Sequence, residues 1–214
     1  MKQKTANINL AKMLRVVGII GVVLGLTTVL WSLFLYASAN PFSFFETYLS
    51  DIGNKPGWPQ VVFNSGMLLS APVRYLFLTL LVMRLLNFGA SRSFAVAALI
   101  TGAFVVIGSI GVSAIPYSFN LKMHMMSALI YFFGVVILQT IIAVQEWRRK
   151  QPPILPVSSI LVVVIYLVFA TLMSMAGKVE GITRSTPVIW EWLAFCSLMF
   201  WLIAHTVILG SQKQ

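Results

Sequence analysis

Charge is the first thing this 214-residue sequence lacks, because Asp, Glu, Lys and Arg together make up only 9% of it. A soluble domain carries about 25% charged and about 45–50% apolar residues, whereas this chain is 59% hydrophobic. So few charges cannot cover a water-facing surface, which excludes a soluble fold. Disordered chains are polar and charged, which excludes disorder. The composition therefore predicts an integral membrane protein.

Cysteine and histidine are also scarce, with one Cys and two His in the chain. Cys196 cannot form an internal disulfide, no Cys/His spacing is typical of a zinc site, and a phosphate-binding glycine loop is missing. We therefore expect no metal and no cofactor. Lys and Arg outnumber Asp and Glu by 15 to 5. Because the cytoplasmic loops of membrane proteins collect Lys and Arg, this excess does not indicate a nucleic-acid partner.

Six long apolar runs are present, and each has the roughly 20 residues that a helix needs to cross the hydrocarbon of a bilayer. The predicted spans are 14–37, 61–83, 94–115, 124–146, 157–177 and 188–210. No room is left for a soluble domain, so residues 1–214 are predicted to form one all-α domain of six transmembrane helices. The first run follows several basic residues, as a signal peptide does. It is longer than the usual signal core of about 7–15 residues, and we expect a retained helix.

The distribution of Lys and Arg predicts the orientation of the chain. Ten of these residues, including Lys2, Lys4 and Lys213, fall on the side of the two termini, and four fall on the other side. Both termini are therefore expected in the cytoplasm. The membrane is expected to be the plasma membrane in a prokaryotic cell and an endomembrane in a eukaryotic one. On the cytoplasmic side we expect Glu146 to pair with the neighbouring Arg148 and Arg149.

Four polar residues are predicted to share one layer on the exoplasmic side, namely Asp51, Asn64, His124 and Glu191. Asp51 belongs to the aromatic loop 38–60, which we expect on the outer rim of the bundle, with Asp51 in a turn or a helix cap. A carboxylate near a histidine can perform general acid–base catalysis, bind a metal or hold a polar lipid headgroup. The residues alone leave these alternatives open, together with a purely structural role as hydrogen-bonding glue.

Further polar residues lie deeper in the predicted spans. Ser127 and Tyr131 follow His124 on the same helical face and are candidate contacts for a substrate. Arg74 lies roughly 20 Å below the exoplasmic end of the second span, where we expect it to extend to the cytoplasmic headgroups. His205 lies at a similar depth in the sixth span, so Arg74 and His205 are the candidates for a deeper binding site.

Four short motifs, spread over nearly the whole chain, resemble those of a known membrane superfamily. They are Ser50-Asp51-Ile52-Gly53 after the first span, Phe63-Asn64-x-Gly66 opening the second, His124 opening the fourth, and Glu191-Trp192 opening the sixth. The superfamily includes the damage-regulated autophagy modulators (DRAM), the GPI-anchor lipid remodelling proteins and a bacterial family of unknown function. The resemblance implies six helices with cytoplasmic ends, and lipid-related work at a shared exoplasmic or luminal site.

Three functional hypotheses follow. In the first, the protein handles or remodels lipids and membrane lipids are its partners. It is an enzyme if Asp51 and Glu191 orient or activate His124 while Asn64 binds a headgroup oxygen, but catalysis is left open. In the second, the same residues only stabilise a membrane scaffold or regulator.

The third hypothesis is a small-molecule transporter that uses Arg74 and His205, and the lack of an internal repeat makes it the weakest of the three. A stripe of small residues in the first span, Gly18, Gly21 and Gly25, is expected to pack helices within the bundle. The alternative for this stripe is a helix-mediated oligomer.

Overall fold

The computed structural model describes residues 9–211, and its regular structure there is entirely helical. The helices are α1 (Leu10–Ala37), α2 (Leu49–Asn54), α3 (Trp58–Asn87), α4 (Arg92–Ala114), α5 (Leu121–Arg148), α6 (Ile154–Met175) and α7 (Val188–Ser211). All except the short α2 are long and apolar enough to cross a membrane. This confirms the prediction of an all-α protein with six spanning helices, most of which begin a few residues before the predicted span. Lys2, Lys4 and Lys213 lie outside the described residues.

The six long helices form a ring. Each packs against the next long helix along the chain, and α7 closes the ring against α1. The outward faces carry large exposed apolar side chains such as Trp31 and Phe34 of α1, which are 58% and 63% exposed. Such faces are what lipid-facing helices require. The end of the bundle where α1 begins and α7 ends is called the terminal end below, and the end that carries α2 is called the loop end.

An apolar core fills the half of the bundle near the terminal end. The side chains of Leu14, Leu81, Leu85, Ile142 and Leu155 have no exposed surface. They come from four different helices and pack together between them.

The small-residue stripe of α1 packs inside the bundle. Its three glycines face α7, where a Cβ atom added to any of them would meet a side chain of that helix, namely Thr206, Leu202 and Met199. Small residues at such positions let two helices approach closely. Because α7 already covers this stripe, it is not the surface through which an oligomer would form.

Helix α2 closes the loop end of the ring. Ile52 has no exposed surface and Leu49 is 7% exposed, because both point into a small apolar cluster with Val29, Phe63 and Trp192. The expectation that loop 38–60 lies on the outer rim is therefore wrong for its α2 segment. The physical reason is the apolar i, i+3 spacing of Leu49 and Ile52, which places both side chains on one helical face. Burying each contributes roughly 1.5–3 kcal/mol.

Candidate functional site

Asp51 organises the start of α2. Its Oδ2 accepts a hydrogen bond from the backbone N–H of Tyr48 at 3.0 Å, which caps the helix. Its Oδ1 accepts a second hydrogen bond from the Tyr117 hydroxyl at 2.8 Å and lies 3.4 Å from Nη2 of Arg184. Of the two structural roles expected for Asp51, a turn or a helix cap, the structure has the cap.

Two tyrosines around Asp51 have pKa values above the usual value of tyrosine. Burial raises the pKa of Tyr117 to about 12, and the hydrogen bond to Asp51 acts in the same direction. Burial also raises the pKa of Tyr48 to about 12, with a further contribution from the charge of Glu191. Both hydroxyls therefore stay protonated at neutral pH and act there as hydrogen-bond donors.

Asn64 and Glu191 hold α2 from two neighbouring helices. Nδ2 of Asn64 in α3 donates to the carbonyl of Gly53 at 2.9 Å. Oε2 of Glu191 in α7 accepts from the backbone N–H of Ser50 at 3.3 Å. Three of the four residues predicted to share a layer, Asp51, Asn64 and Glu191, thus converge on α2.

His124 lies in the first turn of α5, beside the same short helix. Its Nδ1 is 2.8 Å from the carbonyl oxygen of Ile115. A carbonyl can only accept, so Nδ1 carries the hydrogen, and Nε2 of the neutral ring is then an acceptor. The ring packs edge-on against Tyr117 with centroids 5.8 Å apart. Within residues 9–211 no hydrogen bond joins His124 to Asp51 or Glu191, and Tyr117 is the residue that contacts both His124 and Asp51.

A shallow cleft brings part of this layer together. It is lined by residues of α2, α3, α4 and α5 and of the α4–α5 turn, namely Ser50, Gly53, Asn54, Phe63, Asn64, Val112, Pro116, Tyr117 and His124. The space inside it that a ligand could occupy is about 10 Å³, and a single water needs about 10–15 Å³ on the same measure. The cleft therefore has room for one water, or for the hydroxyl or amine tip of a ligand, and not for a whole lipid.

Ser127 and Tyr131 do not line this cleft. Ser127 packs against Gly111 at the close contact between α4 and α5. The Tyr131 hydroxyl lies 3.2 Å from that of Tyr166 in α6, deeper in the bundle. The helical face that continues from His124 is thus used for helix packing in its next two turns.

Arg74 points towards the loop end. Its Nη2 donates to Oγ of Ser109 at 2.7 Å and to the carbonyl of Met67 at 3.4 Å. Met67 precedes Arg74 by seven residues, which is about 10 Å along the helix axis. The expectation that Arg74 extends to the headgroups beside the terminal end is therefore wrong. Two acceptors inside the bundle offset part of the cost of removing its charge from water.

His205 lies in the opposite half of the bundle and pairs with Glu146. Its Nε2 is 2.6 Å from Oε1 of Glu146, and neither side chain has exposed surface. The Ser159 hydroxyl donates to Oε2 of Glu146 at 3.4 Å and accepts from Nε1 of Trp201 at 2.9 Å. No hydrogen bond in the described part of the chain links His205 with Arg74, so the structure does not join these two candidates into one deeper site.

The expected ion pair of Glu146 with Arg148 and Arg149 is wrong. Glu146 is the third residue from the end of α5 and faces the interior, whereas both arginines are exposed. A neutralising partner from α7 lies within hydrogen-bonding distance of the carboxyl. Neighbours in sequence cannot reveal such a partner, because it comes from another helix.

Two site residues were not predicted from the sequence, Tyr117 and Arg184, and Ser50 was predicted only as part of a motif. Tyr117 had one usable signal, since it follows Pro116 in a short turn that connects two spans on the side of the four-residue layer. Backbone contacts, such as that of Ser50 with Glu191, leave no pattern in the sequence. No group of three or more His, Cys, Asp and Glu residues that could hold a metal ion occurs in the stretch 9–211.

Comparison with known proteins gives a family without a known function. A family model described as "Protein of unknown function (DUF998)" matches residues 17–208. No curated protein and no solved structure matches the chain. The match covers four of the spanning helices in full, most of α1 and α7, and every residue that lines the cleft.

Proposed function

Since the chain belongs to the DUF998 family, whose function is unknown, we propose from its geometry that it binds the polar headgroup of a membrane lipid in the cleft beside α2. The observation that carries this proposal is the state of His124. Its Nδ1–H is held by the carbonyl of Ile115, so Nε2 remains as an acceptor. Nε2 has no partner among the described residues and keeps accessible surface.

The surroundings of His124 suit a lipid headgroup. Oδ1 of Asn64, in the same cleft, is a second acceptor with accessible surface, because Nδ2 makes that residue's hydrogen bond to α2. Two acceptors in one cleft match the hydroxyl and amine donors of lipid headgroups. Phe119 and Leu121, at the start of α5, are 83% and 61% exposed. Exposed apolar side chains at the end of a spanning helix suit contact with the membrane interface beside the cleft.

The proposal extends to lipid remodelling, in line with the resemblance to GPI-anchor lipid remodelling proteins. Nε2 of His124 would act as a general base on a headgroup hydroxyl within hydrogen-bond reach. Asp51 would hold Tyr117 in place through its hydrogen bond, and the Tyr117 ring would in turn position the ring of His124. Glu191 would only position α2, through the backbone of Ser50.

The orientation of the site is part of the proposal. The excess of Lys and Arg on the side of the termini supports a cytoplasmic terminal end and an exoplasmic loop end. Single cysteines would test this in a Cys196→Ala background, with Ser93→Cys near the terminal end and Ser118→Cys at the loop end, both exposed. A membrane-impermeant thiol reagent applied outside intact cells should label only Ser118→Cys. Labelling of Ser93→Cys alone would reverse the orientation.

Lipids that co-purify with the protein test the proposed function. The full chain would be extracted in a mild detergent, and its bound lipids would be quantified by mass spectrometry for wild type, His124→Ala and Met123→Ala. Met123 is the matched control, because it is next to His124 and its side chain is 53% exposed. We expect one lipid class to be enriched in wild type and Met123→Ala and lost in His124→Ala. Identical lipid profiles in all three proteins would refute the proposal.

A second candidate function is a non-catalytic membrane scaffold or regulator. One observation favours it. Hydrogen bonds from three side chains hold α2 in place, namely those of Asp51, Asn64 and Glu191. In this case α2 is a structural closure and the cleft has no ligand. Cellular lipid composition separates the candidates. A change on expression of wild type that is absent with His124→Ala supports lipid handling, and no change in either supports the scaffold.

A further inference from the structure

We infer that the bound headgroup carries a phosphate and that Arg74 is the residue that binds it, one helical turn beneath the cleft. This inference rests on the proposed function, because it names the chemical class of the ligand at the same site. It starts from an imbalance of charge. Arg74 lies on the inward-facing side of α3, between Ala71 and Leu78, which are 0% and 5% exposed. No carboxylate among residues 9–211 lies within ion-pair distance of it.

Several N–H groups of the Arg74 guanidinium make no hydrogen bond with the described residues. Only Nη2 is engaged, by Ser109 and by the carbonyl of Met67, and both of these acceptors are uncharged. Nε and Nη1 make no hydrogen bond with the described residues, and both keep accessible surface. An ionised group within a membrane span is costly unless it is paired or solvated. The free N–H groups on Nε and Nη1 lie on different edges of the guanidinium, and each can donate a charge-assisted hydrogen bond to a phosphate oxygen.

The position of Arg74 connects it with the cleft. Its guanidinium contacts Ser109 of α4, and Val112, which lines the cleft, lies three residues later on the same helix. It also contacts Met67 of α3, and Asn64, which lines the cleft too, lies three residues earlier on that helix. Three residues are about 4.5 Å along a helix. On both walls the charge thus lies about one turn below a residue that lines the cleft.

These positions match the order of groups in a glycerophospholipid. The headgroup hydroxyl or amine would meet His124 and Asn64, and the phosphate would meet Arg74. A carboxylate of Asp51 or Glu191 cannot take the place of the phosphate, because both are already bonded to the α2 region. The ligand class is therefore a phospholipid, and a neutral glycolipid would leave Arg74 without its counter-ion.

Two lipids that differ in the phosphate would test this inference. Their affinities for the purified full chain would be measured by native mass spectrometry, with phosphatidylglycerol as the phosphate lipid and monoglucosyl diacylglycerol as the neutral, hydroxyl-bearing lipid. We expect wild type to prefer phosphatidylglycerol by at least about tenfold, as the loss of hydrogen bonds to a charged group implies. Arg74→Gln should lose this preference and still bind the glycolipid as wild type does.

Lys178→Gln is the matched control, because Lys178 is an exposed cation at the same end of the bundle. It should retain the wild-type preference. Folding of Arg74→Gln would be checked by size exclusion and thermal unfolding. If that variant does not fold, Ser109→Ala replaces it, since loss of the Oγ contact should weaken phosphatidylglycerol binding several-fold without changing the charge.

Each remaining outcome overturns a distinct claim. If Arg74→Gln still preferred phosphatidylglycerol as strongly as wild type does, the role of Arg74 would be refuted. The same result with Ser109→Ala would refute it where that variant is used instead. The proposed function would then stand if glycolipid binding still requires His124. If every variant, including His124→Ala, still bound both lipids, the proposed function itself would be refuted. A last outcome is that inorganic phosphate binds as tightly as phosphatidylglycerol and loses its binding in Arg74→Gln. That result would identify a free anion as the ligand and overturn the lipid assignment.

Discussion

His205 and Glu146 form a hydrogen-bonded pair in the buried half of the bundle, with Nε2 and Oε1 2.6 Å apart and no side-chain surface exposed on either. Nδ1 of the same ring is 2.7 Å from the carbonyl oxygen of Trp201, so it must carry a hydrogen. One further proton then lies between Nε2 and Oε1, on the ring or on the carboxyl. Either arrangement is neutral overall, as burial in an apolar interior requires.

Neutrality of this pair predicts that Glu146→Gln is tolerated. The Gln amide would donate to Nε2 of a neutral ring, and its oxygen would accept from the Ser159 hydroxyl, so every hydrogen bond of the network is kept. We expect the free energy of unfolding to fall by less than about 1 kcal/mol. Thermal unfolding of the detergent-solubilised protein, followed by tryptophan fluorescence, would measure the change.

His205→Leu should be much more damaging, because it leaves the Glu146 carboxyl buried without its partner. Removing one member of a buried pair costs about 3–5 kcal/mol. The same unfolding measurement compares the two variants directly. If Glu146→Gln were as destabilising as His205→Leu, the amide would not replace the carboxyl in this hydrogen-bond network, and the description of the network would be incorrect.

The lack of a side chain at Gly53 is predicted to be essential for the close packing of α2 against α3. A Cβ atom at this position would lie 2.6 Å from Cδ1 of Phe63 and 2.7 Å from Oδ1 of Asn64. Gly53→Ala should therefore displace α2, lower the free energy of unfolding by about 1–3 kcal/mol and weaken lipid binding. Lys55→Ala is the control, since Lys55 is exposed beyond the end of α2. Equal stability and lipid retention in the two variants would contradict the tight contact.

Asp51 and Arg184 should differ in their contribution to stability, although they form one ion pair. Arg184 has 77% of its side chain exposed, and exposed pairs contribute about 0–1 kcal/mol. Asp51 also caps α2 and accepts from Tyr117, and loss of a cap alone costs about 1 kcal/mol. Asp51→Ala should thus lower the melting temperature clearly more than Arg184→Gln. Equal shifts would assign the effect to the ion pair alone.

Alkaline pH is predicted to loosen the loop end. The pKa of Tyr117 is raised to about 12, so the folded state favours the protonated hydroxyl that donates to Asp51. This contribution to stability is complete below pH 10, the usual pKa of tyrosine, and is lost as the pH rises towards 12. Melting temperatures between pH 8 and 12 would show the decline. Tyr117→Phe should flatten part of it, and an unchanged decline in that variant would exclude Tyr117 as its source.

The sequence predicted the spanning helices because a membrane imposes a local requirement, about 20 apolar residues in a row, that any single span must meet alone. It failed where a second helix decides the outcome. Glu146 is stabilised by His205 of α7 and Arg74 by Ser109 of α4, and neither partner is near in sequence. The mistake about α2 was avoidable, since Leu49 and Ile52 already have the spacing of a buried helical face.

The candidate site was only partly accessible to the same reasoning. Shortage of polar residues made Asp51, Asn64, His124 and Glu191 conspicuous, and their depth in the spans placed them in one layer. The role of each depends on hydrogen bonds to the backbone, such as those of Asn64 to Gly53 and of Glu191 to Ser50. Every residue type offers the same backbone groups, so the sequence holds no signal for these contacts.

Photo-crosslinking tests most directly the central claim that the cleft beside α2 binds a lipid headgroup. A phospholipid with a diazirine next to its headgroup would be incorporated with the purified chain into nanodiscs, irradiated, and its attachment sites mapped by peptide mass spectrometry. We expect crosslinks concentrated in segments 50–64 and 112–124, and their loss in His124→Ala but not in Met123→Ala. Crosslinks spread evenly over the outward faces of all six helices, and unchanged by His124→Ala, would contradict the claim.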